Sequence, residues 1–271
     1  MNLATLVQCA LDEDRTDRDI TVLATLPYSQ TGEAHVVAKE GGVVSGTAVA
    51  EQVFTTVDPT TTCHWQVTDG ATVAPGDTML KLTGSLAAIL TAERTALNFL
   101  QHLSGVASTT RSFVQAVDGS GCAIYDTRKT VPGLRALAKK AVVDGGGHNH
   151  RSDLAGGFLI KENHIAAAGS ITTAVELCRQ FDQSAWIEVE CESLAQVEEA
   201  AALKPQLILL DNMPLKQVAT ASQMVADIEI EVSGGITLQS VRSYADCGIS
   251  RIAVGAITHS SPALDLSLLL S

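Results

Sequence analysis

Beyond Gly121 the chain falls into a repeating texture. Short apolar runs (CAIYD, FLIK, WIEVE, LILLD, IEIEVS and RIAVG) alternate with stretches such as ITTAVELCRQF and LAQVEEAAAL, where apolar residues recur every three or four positions. Brief apolar runs bounded by polar residues predict buried strands, and the longer period predicts helices packed on them. Their alternation predicts βα units around a parallel sheet. The N-terminal part reads differently, as mixed α+β. A short helix is expected to end near the acidic run around Asp12. AHVVAKEGGVVSGTAVAEQVF predicts a strand, a Gly41-Gly42 turn, a second strand and a helix. WQVTDGATVAPGDTMLKLTG alternates apolar with polar positions around Asp-Gly and Pro-Gly-Asp turns, which is hairpin chemistry. From Ser85 to Val117 a helical period dominates, with a break expected near Ser104-Gly105.

The residues closing the six strands carry the chemical information. They are Asp126, Lys161, Glu190, Asp211, Ser233 and Gly255. In a βα barrel the C-terminal strand ends converge on one mouth, where the chemistry sits. One such residue would mean only that the chain leaves the core. Six of ionisable, hydroxyl or glycine type point to a site.

Charge sharpens this picture. The 271-residue chain has a formal net charge of −12, and only 4% of it is aromatic. Both features, with a pI near 4.9, argue against nucleic-acid binding. No apolar run is long enough for a membrane span, and the start has no basic leader, so no membrane association is expected. Six scattered cysteines without a C-x-x-C favour reduced thiols and a cytoplasmic setting. Yet between Asp126 and His164 seven Lys/Arg face four acids, a net of +3, while the remainder carries −15. A local cationic site on an acidic body draws in a small anion and repels polyanions.

Arg135, Lys139 and Lys140 can be read as a solvated helix face, a reading that fits Lys140 and, for the most part, Arg135. Arg128, Lys129 and Lys161 fit it poorly, because they follow or end apolar strands, where an unmatched cation is costly. Ser233-Gly234-Gly235 followed by Thr237 predicts loop amides and a helix start suited to a phosphate, with Gly255 one strand later. His148-x-His150 offers a metal pair but has no third ligand at a helpful spacing, so protein-held zinc is not expected. Glu190 and Asp211 could bind sugar hydroxyls or sit near Mg²⁺ carried by substrate phosphates. Salt bridges to Lys161 or Arg128 are their structural alternative.

ERTALNFLQHLSG, DTRKTVPGLR, GGGHNHR, LIKENH, EVE, LLDNM, SGGIT and VGAITHS occur in this order along almost the whole chain. In these blocks the sequence resembles nicotinate-nucleotide pyrophosphorylase, also called quinolinate phosphoribosyltransferase, a type II phosphoribosyltransferase family. The resemblance implies an α/β protein with an N-terminal α+β domain (1–107, with the tail 260–271 expected to pack with it) and an incomplete, open βα barrel of parallel strands (108–271). It implies a homodimer in which Arg94 of one subunit serves the other's barrel mouth. The implied reaction joins quinolinate to 5-phosphoribosyl-1-pyrophosphate, releases pyrophosphate and CO₂, and yields nicotinate mononucleotide for NAD synthesis, with Mg²⁺ accompanying the pyrophosphate.

By position, the resemblance implies that Arg94, Arg128 and Arg151 hold the two carboxylates, beside Thr127 and His150. Lys129 and Lys161 serve the carboxylates and the pyrophosphate, and Glu190 and Asp211 contact ribose hydroxyls. The catalytic assignments are Lys129, Lys161, Glu190 and Asp211. The 5-phosphate falls to Ser233, Gly234 and Gly235 and to the backbone of Val254, Gly255 and Ala256. Ala138, Lys140, Val143 and Asp144 depart from the family's usual pattern. Other readings stay open at this point: a molybdenum-transport-associated paralogue, an aldolase-like barrel with a Schiff base on Lys161, and a non-catalytic phosphosugar-binding protein.

Overall fold

In the computed structural model, which describes residues 2–26, 30–225 and 227–271, contacts divide the chain into two units. The first takes residues up to 111 with 131–146 and 257–271, and the second takes 112–130 and 147–256.

In the first unit α1 (Leu3–Glu13) starts where the Asn2 side chain accepts the Thr5 N–H at 2.8 Å, and α2 (Ile20–Thr25) is capped in the same way by Asp19. β1 (Thr31–Ala38), β2 (Gly42–Val43), α3 (Thr47–Val57), β3 (Thr62–Trp65), β4 (Thr72–Val73) and β5 (Thr78–Ser85) follow. The expected hairpin strands β3 and β5 do pair, antiparallel, but the chain between them makes an excursion in which β4 pairs with β2. Gly41-Gly42 likewise leads β2 away from β1 rather than folding it back.

The helix expected to break at Ser104-Gly105 does not. α4 runs unbroken from Leu86 to Ala116, its last residues grouping with the second unit. Gly105 is small for another reason: a Cβ built there would stand 3.0 Å from the Pro262 carbonyl carbon and 3.1 Å from Ala263 Cα. It admits a neighbouring backbone. That backbone leads into the last strand of the chain, β12 (Leu266–Leu270), which pairs antiparallel with β1 and completes a sheet of order β12-β1-β5-β3. Val36, Leu80 and Leu82 from the sheet and Leu97, Leu100 and Leu103 from α4 are buried core residues.

In the second unit β6 (Ala123–Tyr125), β7 (Phe158–Ile160), β8 (Ile187–Cys191), β9 (Leu207–Asp211), β10 (Glu229–Ser233) and β11 (Arg251–Ala253) form one parallel sheet of order β6-β11-β10-β9-β8-β7. α5 (Arg135–Asp144) lies in sequence between β6 and β7 but groups with the first unit. α6 (Glu162–Ala168), α7 (Ile171–Phe181), α8 (Leu194–Ala202), α9 (Leu215–Met224) and α10 (Val241–Ala245) link the strands, and α11 (Ala256–His259) follows β11. The sheet is not closed into a barrel: β6 and β7 are its two edges. The strands are buried on both faces, as parallel sheets are.

Candidate active site

Each strand of the parallel sheet delivers its residues in alternation, so positions two apart face the same side. Leu159 and Lys161, Glu188 and Glu190, Leu209 and Asp211, Glu231 and Ser233, and Arg251 and Ala253 are such pairs. The register sets Glu190, Leu209, Glu231 and Arg251 side by side across four strands. At this end of the sheet lies a cavity of about 290 Å³, lined by Thr127, Arg128, Lys129, His150, Arg151, Lys161, Glu190, Asp211, Glu231 and Ser233, with Leu159, Leu209 and Ala253 as apolar patches.

Short-range bonds place the cations. After β6 the Thr127 hydroxyl accepts the Lys129 N–H at 3.0 Å, turning the chain so that Arg128 and Lys129 both reach the cavity. The segment after the three glycines returns beside β6: His148 N–H donates to Ile124 O at 2.8 Å, and Asp126 N–H to His148 O at 3.0 Å. The buried Asp126 carboxylate then accepts the His150 N–H at 2.8 Å. This pins the start of the His150-Arg151 pair, and Arg151 Nη1 donates to Gly157 O at 2.9 Å. In LIKENH, the Lys161 N–H donates to His164 Nδ1 at 3.0 Å, starting α6 where β7 ends. Lys161 Nζ meets Glu190 Oε2 directly.

Electrostatics differ between rim and floor. Burial, and then the adjacent Arg128, pull the Arg151 guanidinium below its usual range. Burial raises the Glu190 carboxyl, Lys161 opposes that shift by hydrogen bonding, and Asp211 adds to it. Beneath them lie two fully buried acids, Glu188 and Glu231. Burial raises both. Arg151, Arg251 and Lys161 restrain Glu188, whereas Glu188 and Asp126 push Glu231 further up against His150 and Arg251.

His150 joins floor to rim. Its Nε2 is 2.9 Å from Glu188 Oε2 and 3.7 Å from Glu231 Oε1. Its Nδ1 accepts the Arg151 N–H at 2.7 Å, which leaves the ring proton on Nε2, donated to Glu188. Ligand atoms of His150, Glu188 and Glu231 lie within 4.8 Å of one another, a spacing that could hold a metal ion. A proton already occupies the imidazole nitrogen that a metal would need. Arg151 and Arg251 add positive charge to the same acids, so the cluster suits protons better than a dication.

Most residues singled out in the sequence therefore meet in one place: Thr127, Arg128, Lys129, His150, Arg151, Lys161, Glu190, Asp211 and Ser233 line the cavity. Gly234 and Gly235 follow directly, both with positive φ. Val254 is buried and donates its N–H to Tyr125 O at 2.9 Å, with Gly255 and then Ala256, the first residue of α11, next in the chain. Arg94 does not line this cavity; it lies on α4 in the first unit, exposed and 3.9 Å from Glu93. His148 stacks on Tyr125 at 5.2 Å and is not part of the acid cluster.

Lys140, read as part of a solvated helix face, is exposed, and there it bonds Asp69 at 2.7 Å and Asp144 at 2.8 Å; Asp144 also accepts the Ser45 hydroxyl at 2.7 Å. Lys139 is buried. Glu188 and Glu231 were missed. The signal was available: each stands two residues before a strand-closing position and is an acid flanked on both sides by apolar residues.

Residues 106–269 match the family described as quinolinate phosphoribosyl transferase, C-terminal domain, and residues 19–104 match its N-terminal domain. Nicotinate-nucleotide pyrophosphorylase (carboxylating) of Mycobacterium leprae is 42% identical over 271 residues, covering 97% of this chain and 95% of the relative. Quinolinate phosphoribosyltransferase (decarboxylating) 1b of Nicotiana tabacum is 39% identical over 288 residues, covering 98% and 82%. Among solved structures, nicotinate-nucleotide pyrophosphorylase from Ehrlichia chaffeensis superposes with a TM-score of 0.96 at 36% identity, covering 100% of this chain and 99% of that one.

Proposed function

The chain belongs to the quinolinate phosphoribosyltransferase family, and from that premise we infer its reaction: it joins quinolinate to 5-phosphoribosyl-1-pyrophosphate, releasing pyrophosphate and CO₂ and forming nicotinate mononucleotide for NAD biosynthesis. The observation that carries this reading is the single cavity in which Arg128, Lys129, Arg151 and Lys161 face Glu190, Asp211 and Ser233.

The two substrates bring several negative charges, and bringing them together requires fixed cations. Arg128 and Arg151 take the quinolinate carboxylates, since a planar guanidinium offers paired donors. Arg94 of a partner subunit completes that group in a homodimer. His150 is held beside Arg151, which it orients through the Nδ1 contact. Lys129 and Lys161 neutralise charge on the pyrophosphate side as the glycosidic bond breaks. Glu190 and Asp211 take ribose hydroxyls, and Thr127 contributes through the turn it closes. Ser233, Gly234, Gly235 and the backbone at Val254, Gly255 and Ala256 take the 5-phosphate.

Holding the pyridine nitrogen against the anomeric carbon removes much of the entropic barrier. Glu190 and Asp211 offer hard carboxylate oxygens on the cavity rim, and Mg²⁺ brought with the donor would be held near them and would supply positive charge for the departing pyrophosphate. Once the ring nitrogen is quaternised, its positive charge assists loss of the neighbouring carboxylate.

Lys161 is engaged as an ammonium by Glu190, whereas a Schiff-base nucleophile must be a neutral amine. Among the described residues no helix is long and apolar enough to cross a membrane. The proposed enzyme is cytoplasmic and acts away from membranes and nucleic acid, a reading supported by its formal net charge of −12. Incubating the protein with carboxyl-labelled quinolinate, the phosphoribosyl donor and Mg²⁺ tests the assignment: labelled CO₂ and nicotinate mononucleotide should appear in equal amounts. Binding of both substrates without either product would overturn it.

A further inference from the structure

Glu231 poses a problem that the binding roles above do not solve. It lines the cavity and is 0% exposed, and neither of its carboxyl oxygens has a hydrogen-bond partner among the described residues. A carboxylate left in that state is expensive. The groups facing it are Glu188 on β8, His150 after the glycine run, Arg251 on β11 and Asp126 after β6.

Neither His150 nor Arg251 reaches it within hydrogen-bond distance. His150 holds its single ring proton on Nε2 and gives it to Glu188 at 2.9 Å, while Glu231 stands off at 3.7 Å. Arg251 is engaged with Glu229 and lies over the Tyr125 ring at 4.9 Å. Glu188 and Asp126 are acids themselves. A proton on Glu231 removes the conflict, and its raised pKa, caused by burial and then by Glu188, points the same way.

We propose that Glu231 is a neutral carboxylic acid at the cavity floor and that it delivers its proton to C2 of the pyridine ring after CO₂ leaves. The inference rests on the quinolinate reaction assigned above. In the step, the bond from C2 to the carboxylate breaks and its electron pair stays on C2, beside the quaternised nitrogen. The Glu231 O–H bond then breaks, its proton forms the new C–H bond with that pair, and the O–H electrons remain on the Glu231 carboxylate. His150 and Arg251 stabilise that anion until water returns the proton before the next turnover. Glu188 is a positioning residue: it fixes the imidazole through Nε2, so His150 keeps its proton and Glu231 remains the acid able to give one up.

Glu231→Gln keeps the shape and removes the acid. In single turnovers of the full chain with quinolinate, donor and Mg²⁺, pyrophosphate and nicotinate mononucleotide are measured separately. Pyrophosphate release precedes the step and should stay within about threefold of wild type, while nicotinate mononucleotide formation falls about a hundredfold, the usual scale of general-acid catalysis. Equal slowing of both, or undiminished nucleotide formation, would overturn the proposal.

Infrared spectroscopy of the wild type needs no turnover. A deuterium-sensitive carboxylic-acid C=O band should be present at neutral pH and absent from Glu231→Gln. No such band in the wild type also overturns the proposal. A wild type that keeps the band yet makes no nicotinate mononucleotide sinks the reaction assignment, and the delivery step with it, but leaves the neutral acid established.

Discussion

The backbone of Gly234 runs directly against Asn212: a Cβ built on Gly234 would stand 2.5 Å from Asn212 Cγ and 2.8 Å from its backbone nitrogen. Gly234 has φ +94° and Asn212 φ +53°, and the Asn212 N–H is bonded to Ser233 O at 2.9 Å. The turn after β10 thus has neither room nor the right handedness for a side chain. Gly234→Ala should destabilise the protein by about 1–3 kcal/mol and raise KM for the phosphoribosyl donor more than for quinolinate. Thermal melts and steady-state kinetics in each substrate check this. Equal increases in both KM values would argue against a phosphate cradle here.

Arg128→Ala should leave the circular-dichroism spectrum unchanged and lower kcat/KM by orders of magnitude. Losing one preorganised charge contact costs about 3 kcal/mol. Near-wild-type turnover would remove Arg128 from the carboxylate site.

Lys161→Met takes from Glu190 the cation that meets it. Glu190 should then shift further up, activity should collapse, and stability should fall. Because the Lys161 side chain is 42% exposed, water screens the loss, and about 1–2 kcal/mol is expected, below the roughly 3–5 kcal/mol of a fully buried broken pair. Adding Glu190→Gln should restore the melting temperature but not the activity. A double variant as unstable as the single would show that the pair does not set local stability.

The raised floor acids make stability depend on pH with a definite sign. Glu231 has an ordinary value of 4.5 that is pushed up in the folded state, so the native protein binds more protons than the unfolded chain above that pH. The stabilisation is complete below the ordinary value and is lost as pH rises through the raised one. Denaturant titrations at rising pH should therefore show a decline that Glu231→Gln makes shallower. An unchanged slope would count against the raised value.

Arg94→Ala and Lys161→Ala should each be inactive alone. Mixed and allowed to exchange subunits, they should recover activity through hybrid dimers holding one intact site. Verified exchange without recovery would exclude a shared site.

Much of the site was legible because strand ends are a local property. Lys161, Glu190, Asp211 and Ser233 were found by reading where each apolar run stops, and they line one cavity. The floor was not found, since attention to the last polar residue passes over the one two positions earlier. Gly105 misled for the opposite reason. Glycine weakens a helix locally, but here the backbone around Pro262 and Ala263 requires it, and packing outweighs about 1 kcal/mol of propensity. Lys140 is on the exposed face expected of it, but its partner Asp69 lies 71 positions away in sequence and could not be read from that stretch.

The pattern of residues along the chain determined the parallel strands, the helices between them and the types of side chain at the strand ends. Each depends on periodicity and on neighbours a few positions apart. The tertiary structure alone decided that His150 rather than His148 meets the acids, that Glu188 and Glu231 share a floor, and that neither oxygen of Glu231 has a hydrogen-bond partner among the described residues. Those facts depend on burial and on register between β8 and β10, which β9 separates. A local sequence window holds no information about which water is excluded or which distant charge comes within 4 Å.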